Sequence, residues 1–124
     1  MIRIDPIEQE KIKISAVSSP ENGTVSFDGD IDMADPSPLL DPLFEKLHSQ
    51  ALEDSASSVT LDFSRLTYLN SSGIKAVAKW IMRLAAVPDA KKYKIKIIHN
   101  PDTTWQVTSL PTLTYLVPGS VEIV

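Results

Sequence analysis

Between residues 59 and 84, VTLDFSRLTYLNSSGIKAVAKWIMRL, the hydrophobic period changes, and only a strand feeding a helix satisfies both halves. Upstream, Val59, Leu61 and Phe63 alternate with Thr60, Asp62 and Ser64, as a strand with one buried face requires. Downstream, Ile74, Val77, Ala78, Ile81, Leu84 and Ala85 recur at the three-and-four spacing of an amphipathic helix. A short apolar link, Leu66, Tyr68 and Leu69, is expected to join the two, with Asn70, Ser71, Ser72 and Gly73 as the first turn of the helix.

That turn is where function is expected. The first N–H groups of a helix have no intrahelical partner, and the aligned peptide dipoles leave about half a positive charge there. An Asn or Ser side chain caps those donors, and the same donors favour a phosphate. A serine hydroxyl at this position can take a phosphoryl group, adding about −1.5 to −2 charges, without melting the helix. On the helix body, Lys75, Lys79 and Arg83 form a stripe at four-residue spacing, away from the apolar face. This is either a solvated surface or a contact for an acidic partner. Trp80 lies at the margin of the apolar face, where it either completes the core or anchors a partner.

The remainder of the chain reads as an α/β domain. Residues 1–10 form a polar lead-in, and residues 11–124 form the domain. Ile12, Ile14 and Ala16 mark a first strand, and the turn formers of residues 18–23 close a hairpin onto a second, with Val25, Phe27, Gly29 and Ile31. Leu40, Leu43, Phe44, Leu47 and Ala51 mark a helix expected to start with Asp41 as cap and Pro42 in its first position, while Pro38 suggests an earlier start that would leave Pro42 breaking the ladder in the second turn. After the central helix come a strand with Tyr93, Ile95 and Ile97, and a short helix with Trp105, Val107 and Leu110 that Pro111 should truncate. Residues 121–124 supply a closing strand. The expected architecture is a single domain with a mixed sheet of four to five strands and helices packed on it.

Composition removes several functions. A length of 124 residues with 43% hydrophobic and 23% charged side chains suits one ordinary globular core. A net charge of −4 gives no general attraction to nucleic acid. With no cysteine there is no thiolate chemistry or disulfide, and His48 and His99 have no metal-ligand spacing. The acidic run at Asp28, Asp30 and Asp32 is not an EF-hand, because Met33 and Leu39 stand where that loop needs Gly and Glu. No nucleophile elbow or phosphate-binding loop is present, so no enzyme, cofactor or metal is expected. The acidic N-terminal residues and the lack of a long apolar run lead to the expectation of a cytoplasmic protein without a membrane span.

Asp62-Phe63-Ser64, the apolar pair, Asn70-Ser71-Ser72-Gly73-Ile74 and the helix that follows resemble the STAS domain of bacterial anti-sigma factor antagonists. The resemblance runs from about Lys11 to the C-terminus and implies a non-enzymatic partner-switching regulator under reversible serine phosphorylation. That family typically has Asp-Ser-Ser-Gly-Leu at the turn, with the hydroxyl residue after the Asp phosphorylated by a partner kinase. By position, Ser71 is the implied phosphoacceptor, with Ser72 the second choice. Gly29-Asp30-Ile31-Asp32 matches the family's Gly-Glu-Ile/Leu-Asp and implies that Asp32 lies near Ser71. The implied contact surface comprises Asp32, Asn70, Ser72, Gly73, Lys75, Lys79 and Trp80. The implied partners are an anti-sigma factor-like serine kinase and a phosphatase. Asn70 replaces the family's Asp, as in a divergent branch whose output can be a signalling enzyme such as a diguanylate cyclase. The alternative is a phosphorylation-independent module of the same fold that binds a protein or a small ligand.

Overall fold

A computed structural model describes residues 4–9, 11–18 and 22–124. Its single six-stranded sheet is ordered β1 (Ile7–Glu8), β2 (Ile12–Ser18), β3 (Asn22–Ile31), β4 (Ser58–Leu69), β5 (Lys94–Ile98) and β6 (Val121–Ile123), so spatial order repeats chain order. The first three strands pair antiparallel, and β3 to β6 pair parallel. The parallel connections carry α1 (Ser37–Glu53), α2 (Ser71–Ala85) and α3 (Thr104–Ser109). Right-handed crossovers that always step in the same direction put their helices on one face. The alternation agrees: Ile95 and Ile97 are buried, whereas Lys94 and Lys96 are exposed. The sheet has one strand more than the four or five expected, because Ile7 and Glu8 of the lead-in pair with Ile14 and Lys13. The tip of the expected 18–23 hairpin falls on residues 19–21, outside the described residues.

Strand β4 does not stop at Ser64. Leu66, Tyr68 and Leu69, expected as a link, continue it to Leu69. The register explains the misreading. Ser26 and Asp28 oppose Asp62 and Arg65, and Gly29 and Asp30 oppose Leu66 and Tyr68, so β4 carries an extra residue at each of two bulges. The inward positions are therefore Leu61, Phe63, Leu66 and Leu69, all buried, and their spacing changes from two to three. Ser64 secures the first bulge by donating from its N–H and hydroxyl to Asp62 Oδ1, at 2.9 and 2.6 Å. Thr67 at the second donates its hydroxyl to the Gly29 carbonyl at 2.9 Å. Gly29 has φ of +117°, and a Cβ there would lie 2.0 Å from the Lys11 carbonyl oxygen, so only glycine fits.

Beyond Asp62, β5 no longer pairs with β4. Side chains from the segment around α3 replace it. Gln106, fully buried, donates from Nε2 to the Phe63 and Leu66 carbonyls at 2.7 and 2.9 Å and accepts from the Asn100 N–H at 2.7 Å. Asn100 Nδ2 reaches the Ser64 carbonyl, and Trp105 Nε1 the Thr67 carbonyl. Trp105 is thus half-buried with its ring against Phe63. Pro111 ends α3 as an α-helix, yet the chain continues as a 3-10 helix over Leu110–Tyr115.

Helix α1 begins earlier than Asp41, at Ser37, with Pro36 as its N-cap residue and Pro42 inside. The Asp35 carboxylate accepts from the Ser37 N–H at 3.1 Å, and the Pro36 carbonyl accepts from Leu39 and Leu40. Pro42 removes only its own bond to the Pro38 carbonyl, and both prolines are exposed, where water can replace it. Helices α1 and α2 meet over an aromatic stack in which Phe44 lies 5.2 Å from Trp80. Behind it, Trp80 Nε1 donates to the Tyr93 hydroxyl at 2.8 Å, and that hydroxyl lies 2.7 Å from His48 Nδ1. An indole N–H only donates, so pairing the buried tyrosine proton assigns His48 Nδ1 as its acceptor and leaves the neutral imidazole protonated on Nε2.

Two outcomes follow. Gln106→Leu leaves two buried carbonyls without donors and should cost about 2–5 kcal/mol of unfolding free energy, read by chemical denaturation. Desolvation, with the Arg83 guanidinium second, lowers the His48 pKa. The unfolded chain then takes up this proton first, so the stability carried by His48 is complete above about pH 6.5 and is lost as pH falls through the lowered folded value. Thermal melts should show stability declining between about pH 7 and 5, and His48→Gln should flatten that decline.

Candidate functional site

The parallel register brings Ile31 beside Leu69, so the segment leaving β3 and the start of α2 emerge together at one end of the sheet. Asn70 joins them. Its backbone N–H donates to the Ile31 carbonyl at 3.2 Å and its side-chain Nδ2 to the Met33 carbonyl at 2.7 Å. Its Oδ1 accepts from the Gly73 N–H at 2.8 Å, and its carbonyl accepts the first helical bond, from Ile74, at 3.0 Å. The side chain therefore caps α2 with one end and holds the β3–α1 segment with the other. A carboxylate can do only the first.

Gly73 lies under this clasp and is buried. A Cβ on it would sit 2.2 Å from Leu69 Cδ1, 2.9 Å from Leu69 Cγ and 3.3 Å from Asn70 Oδ1. Because Leu69 is itself buried, it has little room to yield, and Gly73 is fixed by packing at the helix start.

Ser71, the first residue of α2, is exposed. Its N–H and that of Ser72 have no partner among the described residues, so two backbone donors and the positive end of the helix surround the Ser71 side chain. Ser72 is half-buried and turns toward α1, lining a shallow hollow with Asp35, Ser37, Asp41, Lys75 and Lys79. Of the two hydroxyls, that of Ser71 is the more accessible.

The other expected contact residues divide. Asp32 lies between the two residues that Asn70 holds, is exposed, and pairs with Lys11 at 2.9 Å. Lys75 is exposed and makes no ion pair among the described residues. Lys79 and Arg83 are engaged within the protein, pairing with Asp41 at 3.0 Å and Glu45 at 3.5 Å on α1. The expected basic stripe thus largely faces its own acidic complement. Trp80 must be removed from the contact surface: it is 1% exposed, stacked on Phe44 and bonded to Tyr93. Its position is that of the α1 interface, not of the helix margin.

Sequence reasoning missed Met33, whose carbonyl receives the Asn70 amide, and Tyr68, which is 46% exposed near the end of β4. The Met33 carbonyl has no signature in residue type. The bulges concealed Tyr68 as a strand residue, because strict alternation fails at Arg65, Leu66 and Thr67 and so leaves residues 66–69 outside the strand. Among the described residues no group of three or more His, Asp or Glu is placed to hold a metal, and no helix is long and apolar enough to cross a membrane.

No family model matches the sequence, and no curated protein matches it. Solved structures do match. An anti-sigma factor antagonist from Mycobacterium paratuberculosis superposes with a TM-score of 0.60 at 20% identity, over 90% of this chain and 85% of that one. The fold is that of the anti-sigma factor antagonists. The phosphorylated form of the Bacillus cell fate determinant SpoIIAA matches this STAS-like fold with a TM-score of 0.57 at 18% identity, covering 90% of each chain. A chain from the complex of the diguanylate cyclase SiaD with its activator SiaC, from Pseudomonas aeruginosa, matches with a TM-score of 0.61 at 20% identity, covering 97% of this chain and 98% of that one.

Asn70→Asp keeps the cap but places a carboxylate against the Met33 carbonyl. It should destabilise the protein by about 1–3 kcal/mol in urea denaturation, whereas Ser72→Ala should change stability by less than about 0.5 kcal/mol.

Proposed function

We propose that this chain is a non-enzymatic partner-switching regulator, in the manner of the anti-sigma factor antagonists, and that phosphorylation of Ser71 controls it. The observation that carries the proposal is the exposed Ser71 hydroxyl at the rigid, electropositive start of α2. Unmodified, the surface formed by Ser71, Ser72, Asp32, Lys75 and the clasped β3–α1 segment docks on a partner. Asn70 and Gly73 hold that surface in shape. Phosphorylation by a serine kinase adds charge and bulk at its centre and releases the partner, and a phosphatase restores the contact. The helix dipole and the two unpaired N–H groups favour the added charge, so the modified protein stays folded. A kinase that uses ATP puts this exchange in the cytoplasm. The likeness to a chain of the SiaD–SiaC complex supports a signalling enzyme as an output, besides an anti-sigma factor.

The departure at Asn70 favours a second reading, a module of the same fold that binds its partner without phosphorylation. Ser71→Asp separates the two. Under phosphorylation control, this variant loses about 3 kcal/mol of partner affinity, more than a hundredfold, while its melting temperature stays within about 4 °C of the wild type. Affinity capture with wild-type and Ser71→Asp baits, quantified by mass spectrometry, reads the first quantity. Incubation with ATP and the captured kinase should add a single phosphate that Ser71→Ala abolishes. Unchanged capture by Ser71→Asp would overturn phosphorylation control in favour of the second reading.

A further inference from the structure

At the end of α2 remote from Ser71, about 20 Å along the helix axis, a cleft of about 710 Å³ opens where the C-terminal ends of α1 and α2 meet the segment leading to β5. Its volume lies within the range of small-molecule sites, about 300–1,000 Å³. Leu52, Ala56, Val87 and Pro88 provide apolar walls. Arg83, Lys91 and Lys92 bring three cationic side chains to it, and among the described residues no carboxylate lines it.

The floor holds a directed polar group. His48 is 6% exposed and lines the cleft. Its Nδ1 accepts from Tyr93, so its proton resides on Nε2. Nε2 has no hydrogen-bond partner among the described residues, and it is not sealed from solvent, because no buried side-chain nitrogen or oxygen is left unsatisfied. His48 lines the cleft, and Nε2 is its one ring nitrogen without a partner among the described residues, so it is the donor this residue has for a ligand there.

We infer that this cleft is a binding site for a small organic anion, an apolar body about the size of an aromatic ring that carries a phosphate or carboxylate. The Nε2–H of His48 donates to the anion, the three cations surround it, and the apolar walls take the body. Two of the cations are partly neutralised, Arg83 by Glu45 at 3.5 Å and Lys92 by Asp89 at 2.7 Å, whereas Lys91 has no acidic partner among the described residues. The negative ends of two helix dipoles oppose an anion here. Several of their terminal carbonyls are already engaged: Ala51 accepts from Ala56, Arg83 from Ala86, and Leu84 from Val87. The full charge of Lys91, the residual charge of Arg83 and Lys92, and a fixed donor outweigh what remains.

Phenyl phosphate is a suitable probe, with inorganic phosphate and phenol as its two halves. Titrated into the ¹⁵N-labelled full chain, phenyl phosphate should produce saturable amide shifts at His48, Leu52, Ala56 and Val87. Either half should bind at least tenfold more weakly. The surface double variant Arg83→Gln/Lys91→Gln should bind phenyl phosphate at least tenfold more weakly with an unchanged spectrum elsewhere, and Ser71→Asp should bind it like the wild type. The absence of saturable shifts, shifts centred on residues 70–73, binding by either half as tight as the probe, or unchanged binding in the double variant would each overturn the assignment. The titration reads this cleft and affinity capture reads the Ser71 switch, so failure of one is distinguishable from failure of the other.

Discussion

The two extra residues of β4 determine most of what is distinctive in this domain. Each bulge frees backbone groups that a regular ladder would satisfy, and buried carbonyls without donors are costly. Beyond Asp62 the neighbouring strand is gone, so donors must come from side chains, and Gln106, Asn100 and Trp105 supply them. That arrangement ties the segment around α3 to the second half of β4. It also fixes where Leu69 ends and therefore where Asn70 begins. The Ser71 surface depends on this chain of contacts although none of the three donors belongs to it.

The elements with undisturbed periodicity were legible in the sequence: the first half of β4, all of α2, and the strand containing Ile95 and Ile97. So was the turn at residues 70–73, because Asn, Ser and Gly at a helix start each have a physical reason to be there. What was not legible depended on pairing. Strict alternation cannot register a bulge, so the second half of β4 read as a link. The rule that proline starts a helix pointed to both Pro38 and Pro42, and the earlier start depends on the Asp35 carboxylate, which satisfies the amide of Ser37. Trp80 was ambiguous for another reason. A residue at the edge of an apolar stripe is buried or exposed according to what packs beside it, and only the position of α1 decides that. Gln106 gave no signal because a polar residue in a short helix ordinarily faces water.

Asn70 departs from the pattern this sequence otherwise resembles, and its geometry gives a structural reason. A carboxylate at this position accepts from the Gly73 amide but repels the Met33 carbonyl, whereas the carboxamide both accepts and donates. The exchange replaces a charge beside Ser71 with a mechanical link to the β3–α1 segment. For the partner contact proposed at Ser71, such a link would limit how far the surface relaxes in the unbound state and so reduce the ordering cost of association.

The agreement between spatial order and chain order, from β1 to β6, bears on how the molecule is made. Every strand after β1 pairs with the strand synthesised immediately before it, and only the second half of β4 waits for later donors, from Asn100, Trp105 and Gln106. Loop-closure costs stay small at each addition. A chain leaving the ribosome can therefore accrete this sheet one strand at a time, and the last three residues to pair, Val121–Ile123, complete a surface already in place.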